Sequence, residues 1–251
     1  MTILVTIFAA VALIDGAVAA VPEPSCVVPQ SFLSSDAELT QALAEVKAHQ
    51  RLDISVVGTG SSALPGPDGA RYAYPAQLEQ ALQKALPGVT IKVTTHVQPR
   101  ATTADMAAGM AKILTDDKPA LVVWQTGTAD AMNGVEPEGF HTSLDDGVVA
   151  IENGDADVVL MNMQYSPHTE SMMDVSGYAD IMRFVAQQHN AVLFDRLGIM
   201  RNWNDSGTFD LFAATKNYDM ARRVHECIGR ALASQIISAS HLDAVRMQTT
   251  R

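Results

Sequence analysis

Only two cysteines occur in 251 residues, Cys26 and Cys227. They stand too far apart to form a Cys-x-x-Cys motif for metal or redox chemistry. No His-x-x-His or His-Glu-x-x-His pair and no carboxylate cluster is present, so no metal is expected. The dinucleotide fingerprint is missing too, because Gly58-x-Gly60 lacks a third glycine and a convincing acidic follow-up; no cofactor is expected. Basic residues are few, 17 Lys and Arg against 28 Asp and Glu, for a formal net charge of −11. Such a surface repels phosphate backbones and anionic membranes, and no basic stripe offsets it. Nucleic acid is therefore not an expected partner. Long apolar runs are also lacking: the one over residues 3–14 is too short to span a bilayer comfortably.

That apolar run is followed by Ala17-Val18-Ala19-Ala20. The pattern reads as a secretory signal with an A-x-A-like cleavage site near Ala19 or Ala20, although no Lys or Arg precedes it. Pro22, Pro24 and Pro29 would not continue a packed helix. Residues 1–20 are thus expected to be a signal peptide, with export to the periplasm or beyond the cell and no membrane span after cleavage. In an exported chain, one pair of cysteines points to one disulfide, here tying an N-terminal strap at Cys26 to the C-terminal helix at Cys227. The alternative is two unrelated buried thiols.

Hydrophobic residues make up 47% and charged residues 18%, ordinary values for one globular domain. Helix and strand signals alternate. Ser35-Asp36 offers an N-cap for a helix carrying Leu39, Leu43 and Val46, and residues 53–57 form the first strand. A helix starts at Pro75 with Leu78, Leu82 and Leu86 on one face, and Pro87-Gly88 stops it. Further strands are predicted at 89–95, 120–124, 157–161 and 191–194, and further helices after Thr102-Thr103 and at 144–153, 175–188 and 219–237. The order predicts a mainly parallel five-stranded sheet with helices on both faces. Met106 and Met110 fall at helical spacing and read as core filling. The divisions are a strap and helix over 21–50, the α/β domain over 51–237 and a polar tail over 238–251, expected to fray.

The most informative stretch is Asp53-Ile54-Ser55-Val56-Val57-Gly58-Thr59-Gly60-Ser61-Ser62, a β-branched strand that breaks into a Gly/Ser/Thr turn. An open α/β sheet places its working groups at such a turn. Together with Tyr74-Pro75-Ala76-Gln77-Leu78, Leu121-Val122-Val123-Trp124-Gln125-Thr126-Gly127-Thr128, Ala156-Asp157-Val158-Val159-Leu160 and Gln164-Tyr165-Ser166-Pro167, it resembles the SGNH/GDSL-type hydrolases from about Asp53 to Ile237. The resemblance implies a three-layer α/β/α, flavodoxin-like fold. It also implies a serine nucleophile after the first strand, a histidine near the last helix and an oxyanion hole, the parts that acyl transfer requires.

Carried over residue by residue, the pattern fits in part. Aligned on Gly58, the nucleophile position falls on Gly60; aligned on Gly66, Gly60 is the motif glycine and Ser62 the nucleophile, with Ser61 beside it. The alternative for either hydroxyl is a turn or cap group without chemistry. The family's glycine after the second strand is replaced around Arg100, and its Asn after the third strand by Ala129, between Thr128 and Asp130. The Asp-x-x-His before the last helix is absent, its positions falling near Lys216 and Asp219. His225 remains as a base candidate, or as a packed helix histidine. Two functions follow. One is an exported serine esterase or carbohydrate O-deacylase, with Ser62 or Ser61 attacking and His225 or Asp219 assisting. The other is a binding module that keeps the crevice without turnover. The expected partner is a small-molecule or carbohydrate ester, and the oligomeric state is not specified.

Overall fold

A computed structural model describes residues 26–212 and 218–243. Residues 1–20, expected to be a signal peptide, Lys216 and the end of the polar tail lie outside them. Five strands form one sheet: β1 (Arg51–Gly58), β2 (Thr90–Val97), β3 (Leu121–Gln125), β4 (Asp157–Met161) and β5 (Val192–Phe194). Their order is β2-β1-β3-β4-β5, and every pair is parallel. The expected mainly parallel sheet is thus wholly parallel. Central β3 is buried at all five positions, which is why it reads as an unbroken apolar run. Edge strand β2 is largely exposed or half-exposed.

The helices are α1 (Gln30–Leu33), α2 (Thr40–His49), α3 (Gly69–Tyr72), α4 (Tyr74–Ala85), α5 (Thr103–Asp117), α6 (Thr128–Asn133), α7 (Pro137–Glu152), α8 (Pro167–Met172), α9 (Ser176–Gln188), α10 (Arg196–Asp205) and α11 (Tyr218–Ala239). From β1 the chain runs to one sheet edge through α4, then returns past β1 through α5 and continues through α7 and α9. Right-handed crossovers therefore put α4 on one face and α5, α7 and α9 on the other. Helix α11 packs on α4. The direction of winding reverses between β1 and β3, the place where such sheets open a crevice beyond their strand ends.

Local signals set several boundaries. Thr102 and Asp105 form a capping box at α5, as its Thr pair foretold. Met106 and Met110 are fully buried core residues. The N-cap of α2 is not Ser35-Asp36: Ser35 Oγ accepts from the Ala37 N–H at 3.1 Å, and the helix starts after Leu39. A carboxylate from across the sheet does the capping, with Asp157 Oδ2 accepting from the Ala42 N–H at 2.9 Å. Within the described part of the polar tail, Ser240 and Leu242 are buried and Ser240 Oγ donates to the Ile236 carbonyl.

Cys26 and Cys227 form the expected disulfide, with Cα atoms 5.1 Å apart. The strap is held a second time where the Trp203 indole N–H donates to the Val27 carbonyl at 2.9 Å.

Gly229 sets the spacing of α4 and α11. A Cβ there would lie 2.6 Å from Gln77 Cβ and 2.8 Å from the Leu78 backbone nitrogen. Backbone cannot rotate away, so Gly229→Ala must push the helices apart. We expect overpacking of about 1–3 kcal/mol, against a helix-propensity gain near ~1 kcal/mol. A lower urea midpoint is the expected result, and an unchanged or raised midpoint contradicts this packing.

Candidate functional site

Strand β1 delivers the chain to the crevice at Gly58, and a 3-10 turn follows over Gly60–Ser62. Gln125, the last residue of β3, faces this turn across the switch point. Its Oε1 lies within hydrogen-bond distance of the Thr59 N–H (3.0 Å), Thr59 Oγ1 (3.1 Å), Ser61 Oγ (3.1 Å) and Ser62 Oγ (3.0 Å). A carbonyl oxygen has two lone pairs, so four donors compete for it. Gly58 is required here, because a Cβ would fall 2.2 Å from Ser62 Oγ. At Gly60 a Cβ would meet nothing within 4 Å. The position that the strand-adjacent alignment gives to the nucleophile is therefore open space without a hydroxyl.

The two serines differ in access. Ser62 is 1% exposed, and its Oγ also bonds the Tyr74 hydroxyl at 2.9 Å. Ser61 is half-buried, and its Oγ accepts from Arg196 Nη2 at 3.3 Å. Arg196 opens α10 and is only 1% exposed. No salt bridge joins it to a carboxylate among the described residues, and its Nε has no hydrogen-bond partner. Burial lowers its pKa to about 10, so it stays cationic at neutral pH. The site is thus rich in donors and poor in acceptors. Gln125 Nε2 and the Thr128 hydroxyl also lack partners among the described residues.

His225 is a buried helix histidine whose ring bonds the backbone. It is 7% exposed, and its Nδ1 accepts the Tyr74 backbone N–H at 3.0 Å. Burial first, and Arg196 second, lower its pKa to about 4. The ring is therefore neutral at pH 7. With Nδ1 occupied as an acceptor, Nε2 carries the proton and has no lone pair to receive one. No hydrogen bond joins His225 to Ser61 or Ser62. Asp219 is 84% exposed at the start of α11, 3.7 Å from Arg222, and bonds neither serine.

The other anticipated positions lie around the strand ends. Arg100 is exposed and has φ +65°, the left-handed region that favours glycine. Ala129 is buried at the start of α6. Asp130 is committed to structure: its carboxylate accepts the Thr103 N–H (3.0 Å) and hydroxyl (2.9 Å), tying α5 to α6. Burial raises its pKa. His96 pairs with Asp117 at 2.6 Å, and His168 is exposed on α8. Among the described residues no group of three His, Cys, Asp or Glu is arranged to hold a metal, and no helix is long and apolar enough to cross a membrane.

Gln125, Tyr74 and Arg196 were not foreseen as site residues. One signal for Gln125 was present: a polar residue closing an apolar strand that is buried on both faces must find partners.

Comparison with known proteins agrees with this architecture. The Non-GDSL lipase-like family model matches residues 25–242. Axe2, an acetylxylan esterase from Geobacillus stearothermophilus, is 17% identical, with a TM-score of 0.60 over 74% of this chain and 94% of that one. A protein of the G-D-S-L lipolytic family from Desulfitobacterium hafniense DCB-2 is 16% identical, with a TM-score of 0.57 over 73% and 99%. TesA is 21% identical, with a TM-score of 0.55 over 72% and 97%. At these identities the likeness is one of fold. No curated protein matches the chain. The family match spans nearly all of the described residues, and the parallel sheet with flanking helices is the fold of the solved neighbours: the chain belongs to the Non-GDSL lipase-like family.

Proposed function

We propose that the protein is an exported acyl hydrolase for a small-molecule or carbohydrate ester, with Ser61 as nucleophile and Arg196 stabilising the charge that develops there. The observation that carries this reading is the 3.3 Å bond from a buried guanidinium to a half-buried serine oxygen. Ser61 is the nucleophile rather than Ser62, whose oxygen is sealed between Tyr74 and Gln125. A desolvated cation favours the serine oxyanion and the tetrahedral oxyanion alike. The Ser61 proton leaves to hydroxide or water, the oxygen attacks the acyl carbon, and the alcohol departs with a proton from water. A second water then attacks the acyl carbon, the bond to Ser61 Oγ breaks, the carboxylic acid leaves and Ser61 Oγ regains a proton from water. The acetylxylan esterase among the structural neighbours supports an O-acyl sugar as one substrate class. The disulfide supports an oxidising compartment, and with it residues 1–20 as a leader.

A second reading, ligand binding without turnover, is favoured by the filled Nδ1 of His225 and by Ala129 in place of the family's Asn. The two are separated with p-nitrophenyl acetate and a fluorophosphonate probe. Labelling is expected in the native chain, absent in Ser61→Ala and retained in His225→Gln. Without an imidazole base the rate should climb steadily with pH through neutrality, then fall as Arg196 loses its proton near about 10. Loss of labelling in His225→Gln, or a plateau set by a group near pH 6–7, rules out the Ser61–Arg196 arrangement. The absence of both labelling and turnover in the native chain supports the binding reading.

A further inference from the structure

A second cluster of arginines lies outside the serine site. Arg71, Arg222 and Arg223 line a cleft of about 470 Å³ between α3–α4 and the first turns of α11, with Gln77 and Gln80 opposite. The chain carries 28 acidic against 17 basic residues, so a surface arginine ordinarily has carboxylates at hand. Here two carboxylates, Asp219 and Glu226, line the cleft beside three arginines. Arg71 and Arg223 form no salt bridge among the described residues, and Arg222 reaches Asp219 only at 3.7 Å. Glu226, also at the cleft, pairs with Arg230 at 3.3 Å. The Nε atoms of Arg222 and Arg223 are enclosed without an acceptor. The cleft is also pre-arranged: the Arg222 guanidinium stacks 3.7 Å from the Tyr72 ring centre, and Gln77 Nε2 donates to the Arg71 carbonyl at 3.0 Å.

We infer that this cleft binds an oxyanion, the phosphate monoester or carboxylate group of a small ligand. Guanidinium groups present paired N–H donors in the geometry that both anions accept. The cleft's volume falls within the usual small-ligand range of roughly 300–1,000 Å³. Its lining is distinct from the serine site, although Tyr72 precedes Tyr74 by two residues and Arg222 precedes His225 by three. The anion site does not depend on ester hydrolysis.

The test is calorimetric titration of the full chain at low ionic strength, with inorganic phosphate in one arm and glucuronate in the other. Saturable binding is expected in at least one arm, and the arm that binds names the anion. Binding should weaken about tenfold or more in Arg71→Gln/Arg223→Gln, from loss of charge-assisted hydrogen bonds. The milder Arg71→Gln alone should weaken it less, and Lys112→Gln on the exposed face of α5 should leave it unchanged. Added salt should reduce the affinity. No saturable heat in either arm, or equal binding in the arginine variants, overturns the inference. Because the readout is binding, it stands or falls separately from ester hydrolysis.

Discussion

Arg196→Met is expected to make the protein more stable and to remove its activity. The guanidinium is buried, no carboxylate among the described residues pairs with it, and burial brings its pKa down from the ordinary arginine value to about 10. A shift of that size corresponds to about 3 kcal/mol of penalty on the charged form. The sign follows from linkage. The folded value lies below the unfolded one, so the penalty is complete at pH 7, where both states are protonated, and is relieved only as pH rises past about 10. Methionine fills similar volume without charge, and what it forfeits is two long contacts, to the Ser61 carbonyl at 3.5 Å and hydroxyl at 3.3 Å. A gain of about 1–3 kcal/mol in unfolding free energy is the expected net. Turnover should drop by roughly 10²–10³, the usual cost of one oxyanion donor. Urea melts and ester hydrolysis, measured on the same preparation, check both halves. A destabilised Arg196→Met protein would mean that the guanidinium is structural, held for packing rather than for charge on a substrate.

The same substitution reads out on the neighbouring ring. Arg196 is the second cause, after burial, of the low His225 pKa. Its removal should raise that pKa without bringing it to the ordinary imidazole value, because the burial persists. NMR titration of the ring follows this directly.

The strands were legible because each combines β-branched residues with a clear break, as at Gly58 and at Gly127, where φ is +93°. The helix at α10 was not. It opens with Arg-Leu-Gly and is largely polar, yet Leu197, Ile199, Met200 and Trp203 are buried. Its N-cap Asp195 is supplied by the end of β5, which accepts from the Gly198 N–H at 2.9 Å. Missing this helix also hid Arg196, since an arginine read from sequence is taken as solvent-facing. The serine turn was visible, but which hydroxyl opens outward depends on a side chain from β3, and periodicity carries no such information. His225 was legible as a candidate, but the sequence left it open between a base and a packed helix histidine. Its acceptor is used up by the backbone of Tyr74, a partner 151 residues away.

Breaking the Cys26–Cys227 bond is expected to cost the most stability of any single change. The bridge closes a loop with a sequence separation of 201. In the chain-entropy model such a loop constrains the unfolded state by about 5 kcal/mol. For a domain of this size that corresponds to a fall of roughly 10–20 °C in Tm. Two features limit how much of this is felt as simple detachment of the strap. Val27 is held by Trp203, and the Leu39 N–H donates to the Ala239 carbonyl at 2.9 Å, so the strap stays docked on α11 without the bond. Cys227 itself is buried on α11, two residues from His225, so Cys26→Ser/Cys227→Ser also places hydroxyls where sulfur packs. Thermal melts of the native chain with and without reductant separate the bridge from the packing change, because reduction leaves sulfur in place. A midpoint that falls with reductant, and falls again in the double serine variant, is the expected pair of results. An unchanged midpoint under reduction would mean that the crosslink adds nothing beyond the contacts around it, and the case for an oxidising compartment would then lose its physical support.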